Sequence, residues 1–128
     1  MKQLAPSILS ADFICLGEQL KQLQKLCIHY LHIDVMDGMF VPSISFGMPV
    51  IASLRKHTDM FFDVHLMIEE PIRYVNALRQ AGADGLTVHA EACADLPGTI
   101  AAIRESGAKP ADRKSTRLNS SHSKISYA

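Results

Sequence analysis

The sequence predicts an α/β protein that forms part of a (β/α)8 TIM barrel, and three observations favour this fold. Short apolar strands alternate with amphipathic helices in four strand-then-helix units, the pattern of a parallel sheet covered by helices. No GxGxxG motif follows the first strand, which counts against a dinucleotide-binding sheet. Polar residues recur near the carboxyl ends of several strands, where a barrel has its active site. An open doubly wound sheet is the alternative.

The elements follow one another with recognisable start and stop signals. Strands are predicted at 4–9, 29–35, 61–67 and 86–90, and helices at 13–26, 49–56, 72–80 and 98–105. Ser10 or Asp12 can cap the first helix, and Pro49 suits the first turn of the second. Glu69 and Glu70 are favourable near the positive end of the third helix. The long loop at 36–48 exceeds a typical connection, which indicates a functional segment.

The unit pattern stops near residue 110. A complete barrel needs eight units and about 250 residues, and four units are recognised here. Residues 111–128 are rich in serine and basic residues and show almost no apolar periodicity. We therefore expect residues 1–110 to form the N-terminal half of a barrel. Residues 111–128 are expected to be a non-native or disordered tail without the strand and helix of a fifth unit.

Composition narrows the class of protein. With 13 basic and 13 acidic residues the formal net charge is zero, so nothing favours a nucleic acid or an anionic membrane surface as partner. There is no apolar stretch near 20 residues and no signal peptide, so the expected location is the cytoplasm. Three cysteines without a CxxC spacing, Cys15, Cys27 and Cys93, indicate buried, reduced thiols.

The most informative stretch runs from Leu31 to Phe40. Because side chains alternate along a strand, His32, Asp34 and Met36 share one face of an otherwise apolar segment. An imidazole and a carboxylate are costly to bury without a partner, and a divalent metal is a suitable one. The alternative is a hydrogen-bonded His–Asp pair at a strand edge.

The third strand repeats this arrangement, with Asp63, His65 and Met67 on one face. Two histidines and one carboxylate from neighbouring strands form a plausible ligand set for Zn²⁺, Mn²⁺, Co²⁺ or Fe²⁺. Such a site supports either hydrolysis or proton transfer next to a carbonyl group. The methionines are apolar packing around a planar intermediate or simple core filling. His89 and Glu91 are weaker candidates, for which core or rim packing explains the residue equally well.

Several segments in sequence order resemble the ribulose-phosphate 3-epimerase family. They are residues 4–13 (LAPSILSADF), 32–42 (HIDVMDGMFVP), 45–47 (SFG), 63–67 (DVHLM) and 88–91 (VHAE). The resemblance implies a (β/α)8 barrel that interconverts D-ribulose 5-phosphate and D-xylulose 5-phosphate in the pentose phosphate pathway. It also implies metal-assisted proton transfer at C3 through an enediolate.

Carried over residue by residue, the resemblance implies that His32, Asp34 and His65 bind the catalytic divalent metal (Zn, Mn, Co or Fe(II)). Asp34 would also be one of two acid/base carboxylates. The implied substrate-binding residues are Ser7, His65, Met36, Met39 and Met67. Asp37 is expected to be a turn residue or to act behind the metal ligands. The implied partner is a phosphorylated ketose, and full-length members often form homo-oligomers.

The family's second acid/base aspartate and its phosphate-binding loops belong to the half of the barrel that is not recognised here. We therefore expect this chain alone to lack epimerase activity. An epimerase acting on D-allulose 6-phosphate is an alternative, because it shares the metal site. A non-catalytic half-barrel fragment and a metal-dependent hydrolase are further alternatives. A half-barrel would expose strand edges and an apolar face, so it should associate.

Overall fold

A computed structural model describes residues 4–113 and the backbone of residues 125–127. The remainder of the predicted tail, residues 114–124 and 128, lies outside the described part of the chain, so the division at residue 110 stays a prediction there. No described helix is long and apolar enough to cross a membrane.

The described chain is a parallel sheet whose strands alternate with helices. The parallel strands are β1 (Tyr30–Met36), β2 (Phe61–Met67), β3 (Gly85–His89) and β4 (Lys109–Arg113), in sequence order. The helices are α1 (Leu16–Lys25), α2 (Met48–Arg55), α3 (Val75–Ala81) and α4 (Leu96–Glu105). A fifth strand, β5 (Ile125–Tyr127), pairs antiparallel with β4. This order of βα units confirms the prediction of a partial (β/α)8 barrel.

The hydrophobic core lies between the sheet and its helices. On β1 the odd-numbered residues Leu31, Ile33 and Val35 are buried, whereas the intervening polar face is half-buried. All five residues of β3 are buried, as expected for a parallel strand covered on both faces. Ile51 of α2 and Leu78 of α3 are fully buried in the same cluster. The alternation of β1 therefore directs its polar residues to the inner side of the sheet.

Two predicted helices begin with a short 3-10 turn. Phe13–Cys15 precede α1, and the Asp12 side chain accepts a hydrogen bond from the Ile14 backbone N–H, so Asp12 is the cap. Pro71–Tyr74 precede α3. Asp95 caps α4 by accepting from the Gly98 N–H at 3.1 Å.

The predicted strand at 4–9 was wrong. The segment lies beside β1 with a single parallel bridge, between Ser7 and His32, and Ile8–Ser10 form a 3-10 turn. The Ser7 hydroxyl accepts a hydrogen bond from the Leu9 N–H, which starts this turn instead of continuing the strand. Pro6 has no N–H to contribute to a ladder, although its carbonyl accepts from the His32 N–H at 2.9 Å.

The expectation that no strand follows residue 110 was also wrong. β4 runs from Lys109 to Arg113 and pairs in parallel with the whole of β3. It therefore crosses the predicted boundary between the barrel and the tail. Pairing with β3 explains this outcome, because the Lys-Pro-Ala-Asp-Arg segment has little strand propensity of its own.

The cysteines are only partly where the sequence predicts them. All three are free thiols, but Cys15 and Cys27 are exposed, which contradicts the expected burial. Cys15 is the residue before α1, and Cys27 follows its last turn. Cys93 is half-buried, and its thiol donates to the His89 carbonyl oxygen at 3.3 Å.

Candidate metal centre

The register of the sheet decides which inner side chains become neighbours. β1 and β2 pair so that Asp34 lies beside His65 and His32 lies beside Asp63. The two histidines are thus offset along the sheet instead of occupying equivalent positions. Thr87 of β3 lies on the far side of His65. Because paired residues of parallel strands point to the same face, these side chains form two polar layers.

Asp34 is the centre of the cluster. Its Oδ1 lies 2.9 Å from Nε2 of His32 and 3.1 Å from Nδ1 of His65. One ligand atom from each of the three residues can be chosen so that all lie within 4.8 Å of one another. The structure therefore brings together the three residues that the sequence predicted as metal ligands.

A second group of side chains supports these three. The Ser7 hydroxyl donates to Oδ2 of Asp34 at 2.9 Å, and Nδ1 of His32 lies 3.1 Å from Oδ2 of Asp63. The Ser45 hydroxyl donates to the Asp34 carbonyl oxygen at 2.8 Å and accepts from the Met36 N–H at 3.0 Å. The loop after β1 thus returns to hold the backbone of its own strand.

Asp63 and Ser45 were not recognised as supporting residues from the sequence. The alternation of β2 places Asp63 on the inner face, which was noted, but its pairing with His32 depends on the register between two strands. Ser45 is a small polar residue in a long loop, and nothing in the sequence indicates which backbone it contacts.

His89 joins the cluster from β3. Its Nε2 lies 2.7 Å from Nε2 of His65, and the two rings stack with centroids 4.8 Å apart. The Phe40 ring lies against the imidazole of His89 at 5.1 Å between centroids. Glu91, the other weak candidate, is exposed in the turn after β3. Of these two candidates, His89 is the one in contact with the predicted ligands.

The side chains of the cluster differ in the direction of their pKa shifts. Hydrogen bonds to Asp34 and then to Asp63 raise the pKa of His32 from 6.5 to about 9, against the opposing effect of burial. Burial alone would raise the pKa of Asp34, but its hydrogen bonds with His32, His65 and Ser7 hold that pKa well below its usual range. Burial, followed by the nearby charge of His65, lowers the pKa of His89 to about 4. Asp34 is therefore a carboxylate and His89 a neutral imidazole at pH 7.

The remaining predicted residues lie at the rim. Met36 and Met67 are paired in register and half-buried, one layer beyond Asp34 and His65. Met39 is 73% exposed on the loop after β1. Asp37 is a turn residue, as expected: Oδ1 accepts from the Met39 and Phe40 N–H groups, and Oδ2 accepts from the Glu69 N–H. Contact of the methionines with a substrate stays a prediction.

The donor set fits a divalent transition metal. Two imidazole nitrogens and one carboxylate oxygen are ligands that Zn²⁺, Mn²⁺, Co²⁺ and Fe²⁺ accept. Two polar atoms beside the predicted ligands, Thr87 Oγ1 and His89 Nδ1, are buried without a hydrogen-bond partner in the described chain. The cluster is thus rich in donor atoms, some of them unsatisfied.

Fold and site together define a partial (β/α)8 barrel with a candidate metal centre on its inner face. The model of the ribulose-phosphate 3 epimerase family matches residues 3–116, so the chain belongs to that family. A relative from Bacillus subtilis (strain 168), named ribulose-phosphate 3-epimerase, is 54% identical over 109 residues, which cover 85% of this chain and 50% of that protein.

Two further relatives extend the comparison. The ribulose-phosphate 3-epimerase of Rhodobacter capsulatus is 47% identical over 107 residues, covering 84% of this chain and 47% of that protein. The protein named ribulose-phosphate 3-epimerase, cytoplasmic isoform, from Oryza sativa subsp. japonica is 44% identical, covering 84% of this chain and 48% of that protein. The chain spans about half the length of the curated relatives it matches.

Proposed function

We propose that the chain is the N-terminal half of a ribulose-phosphate 3-epimerase, which interconverts D-ribulose 5-phosphate and D-xylulose 5-phosphate through an enediolate. The observation that carries the proposal is the convergence of His32, Asp34 and His65, whose ligand atoms lie within 4.8 Å, in a chain of this family. Their carboxylate and imidazoles suit both metal binding and proton transfer at a carbon next to a carbonyl.

His32, Asp34 and His65 would hold the metal, a divalent ion that is Zn, Mn, Co or Fe(II). When bound, it would polarise the ketose carbonyl and offset the negative charge of the enediolate. Asp34 has two distinct oxygens: Oδ1 lies between the imidazoles, and Oδ2 accepts a hydrogen bond from Ser7. Ser7 thereby orients the carboxylate, which takes or returns the proton at C3 on one face of the sugar.

Inversion needs an acid/base group on each face of the planar intermediate. Asp34 supplies one face. The opposing aspartate and the phosphate-binding loops belong to the other half of the family's barrel. The 128-residue chain alone is therefore proposed to exchange the C3 proton without inverting the carbon. Met36, Met39 and Met67 are proposed to line the apolar side of the pocket.

The partners follow from the same proposal. The substrate is a phosphorylated ketose, and the full-length protein is proposed to be a homo-oligomer of the cytoplasm. The name of the rice relative, cytoplasmic isoform, gives this compartment for that protein. Exposed apolar side chains support association: Ile14 is 94% exposed and Leu26 is 71% exposed, at opposite ends of α1 and its leading turn.

Exchange at C3 tests the proposal directly. The chain is incubated in D₂O with Zn²⁺ or Mn²⁺ and, separately, with D-ribulose 5-phosphate and D-xylulose 5-phosphate, and C3–H loss is followed by proton NMR. We expect exchange of one epimer and no conversion to the other, because a single carboxylate serves a single face. Asp34→Asn and chelation should abolish exchange. Asp59→Asn, at an exposed aspartate, should not.

Each other outcome has a distinct meaning. Conversion of one epimer into the other would contradict the proposed inactivity of the isolated chain. Exchange of D-allulose 6-phosphate in preference to both pentuloses would replace the substrate assignment. No exchange with any of the three sugars, despite metal binding, would favour a non-catalytic half-barrel fragment.

A further inference from the structure

The histidine on β3 makes a contact that the proposed mechanism does not use. His89 is 7% exposed and His65 is 3% exposed, and their Nε2 atoms lie 2.7 Å apart. His89 is not among the three residues whose ligand atoms cluster. Its ring stacks on that of His65 and also contacts the tilted ring of Phe40, so the side chain is packed beside a predicted ligand.

The short contact restricts where the protons lie. Two neutral imidazoles hydrogen-bond through a pair of nitrogens only if one nitrogen carries the proton and the other does not. Nδ1 is the nitrogen of His65 that faces Asp34, at 3.1 Å from Oδ1. A metal between these residues therefore requires an unprotonated Nδ1, which leaves the single proton of His65 on Nε2.

The acceptor for that proton is already in place. With Nε2–H on His65, the unprotonated Nε2 of His89 accepts, and His89 carries its own proton on Nδ1. The buried Nδ1 of His89 has no hydrogen-bond partner in the described chain, so no hydrogen bond at that nitrogen favours the other tautomer.

We propose that His89 is a positioning residue, which fixes His65 in the Nε2–H tautomer and directs its Nδ1 lone pair towards the metal. The inference rests on the metal site of the proposed function. It parallels the other ligand, since Nδ1 of His32 lies 3.1 Å from Asp63 and leaves Nε2 facing Asp34. The two histidines thus bind through opposite ring nitrogens, one supported by a carboxylate and the other by a neutral imidazole.

NMR of the Zn²⁺-loaded chain with ¹⁵N-labelled histidine tests the tautomer. We expect the proton of His65 on Nε2 and a scalar coupling across the hydrogen bond to Nε2 of His89. A merely structural role for His89 does not produce this signature. A Zn²⁺-loaded His65 protonated on Nδ1, or an absent coupling between the two Nε2 atoms, would overturn the inference.

Metal affinity provides a second readout. His89→Leu removes the acceptor, and we expect Zn²⁺ to bind about 10–100-fold more weakly, the usual effect of losing such a support. His89→Gln retains an acceptor oxygen and should restore most of the affinity. His57→Leu, at an exposed histidine after α2, should bind Zn²⁺ like the wild type.

The possible outcomes distinguish a failure of the proposed role of His89 from a failure of the proposed metal site. If the wild type binds no Zn²⁺, the metal site and the role of His89 both fail. If the wild type binds and His89→Leu binds equally well, only the role of His89 fails. If His89→Leu does not fold, the coupling measured in the wild type and the affinity of His89→Gln decide.

Discussion

The Arg55 guanidinium donates to Oδ2 of Asp84 at 2.8 Å, joining the end of α2 to the start of β3. Its second nitrogen donates to the carbonyl oxygens of Thr58 and Met60, both at 2.7 Å. The same guanidinium lies 3.9 Å from the centroid of the Phe62 ring. One side chain thus satisfies the backbone of the loop that leads into β2.

Replacing Arg55 with methionine should destabilise the chain. Arg55→Met keeps the aliphatic stem but leaves the carbonyl oxygens of Thr58 and Met60 without this donor. Asp84 loses this charged partner and keeps only the Phe62 N–H on Oδ2. Unsatisfied polar groups cost about 1–3 kcal/mol each when buried, and this site is partly exposed, so we expect a total loss of about 2–4 kcal/mol. Urea unfolding measures it. Arg104→Met, on the exposed face of α4, should change the free energy of unfolding by less than about 0.5 kcal/mol.

Much of the fold could be predicted because its local patterns agree with its packing. β2 has the predicted bounds, since its apolar run and flanking turns match a buried parallel strand. The segment at 4–9 looked equally apolar, yet Pro6 and the capping Ser7 favour a turn after one bridge. β4 escaped prediction because its strand conformation depends on pairing with β3.

The candidate site could also be predicted only in part. His32, Asp34 and His65 were predictable because alternation along single strands places them on the inner face. The supporting contacts of Asp63 and His89 depend on which residues of separate strands lie side by side. Register depends on how two strands and their connection fit together, so the alternation within a single strand does not say which residues become neighbours.

The metal-free chain should lose stability as the pH rises from 6.5 towards 9. His32 has a pKa of about 9 in the folded chain, because Asp34 and Asp63 accept its hydrogen bonds, against 6.5 when unfolded. Between these values the folded state binds the extra proton, so the stabilisation present below pH 6.5 disappears as the pH passes 9. Urea midpoints in EDTA across this range measure it.

Two matched variants test whether His32 is the group that causes this pH-dependent loss of stability. His32→Gln should flatten the decline between pH 6.5 and 9, whereas His57→Gln should retain it. An unchanged decline in His32→Gln would show that another group is responsible.

Acid should destabilise the metal-free chain through His89. Burial, then the neighbouring His65, lowers its folded pKa to about 4, with Arg113 in the same direction and Glu91 opposing. Between pH 6.5 and 4 the unfolded state binds the proton and the folded state does not, so stability falls as the pH falls. The quantity to measure is the difference in the free energy of unfolding between the wild type and His89→Gln. That difference should shrink or reverse as the pH falls through this window, and a constant difference would contradict the prediction.

Asp63 should control metal affinity through His32. Its Oδ2 accepts from Nδ1 of His32 at 3.1 Å, which leaves Nε2 of that ring facing Asp34. Asp63→Ala removes this acceptor, and we expect Zn²⁺ to bind about 10–100-fold more weakly in a competition titration with a chromophoric chelator. Asp63→Asn keeps one carbonyl acceptor but loses the charge, so its loss of Zn²⁺ affinity should be smaller.

Two further variants serve as controls for the prediction about Asp63. His32→Asn removes the ligand itself and should weaken binding more than Asp63→Ala, while Asp59→Asn, at an exposed aspartate, should bind like the wild type. If Asp63→Ala binds Zn²⁺ as tightly as the wild type while His32→Asn does not, His32 is held by the sheet alone. The buried Asp63 side chain would then have no influence on metal binding. The expected order of Zn²⁺ affinity is wild type above Asp63→Asn above Asp63→Ala above His32→Asn. The variants lose, in turn, the charge of the orienting group, the orienting acceptor and the ligand itself.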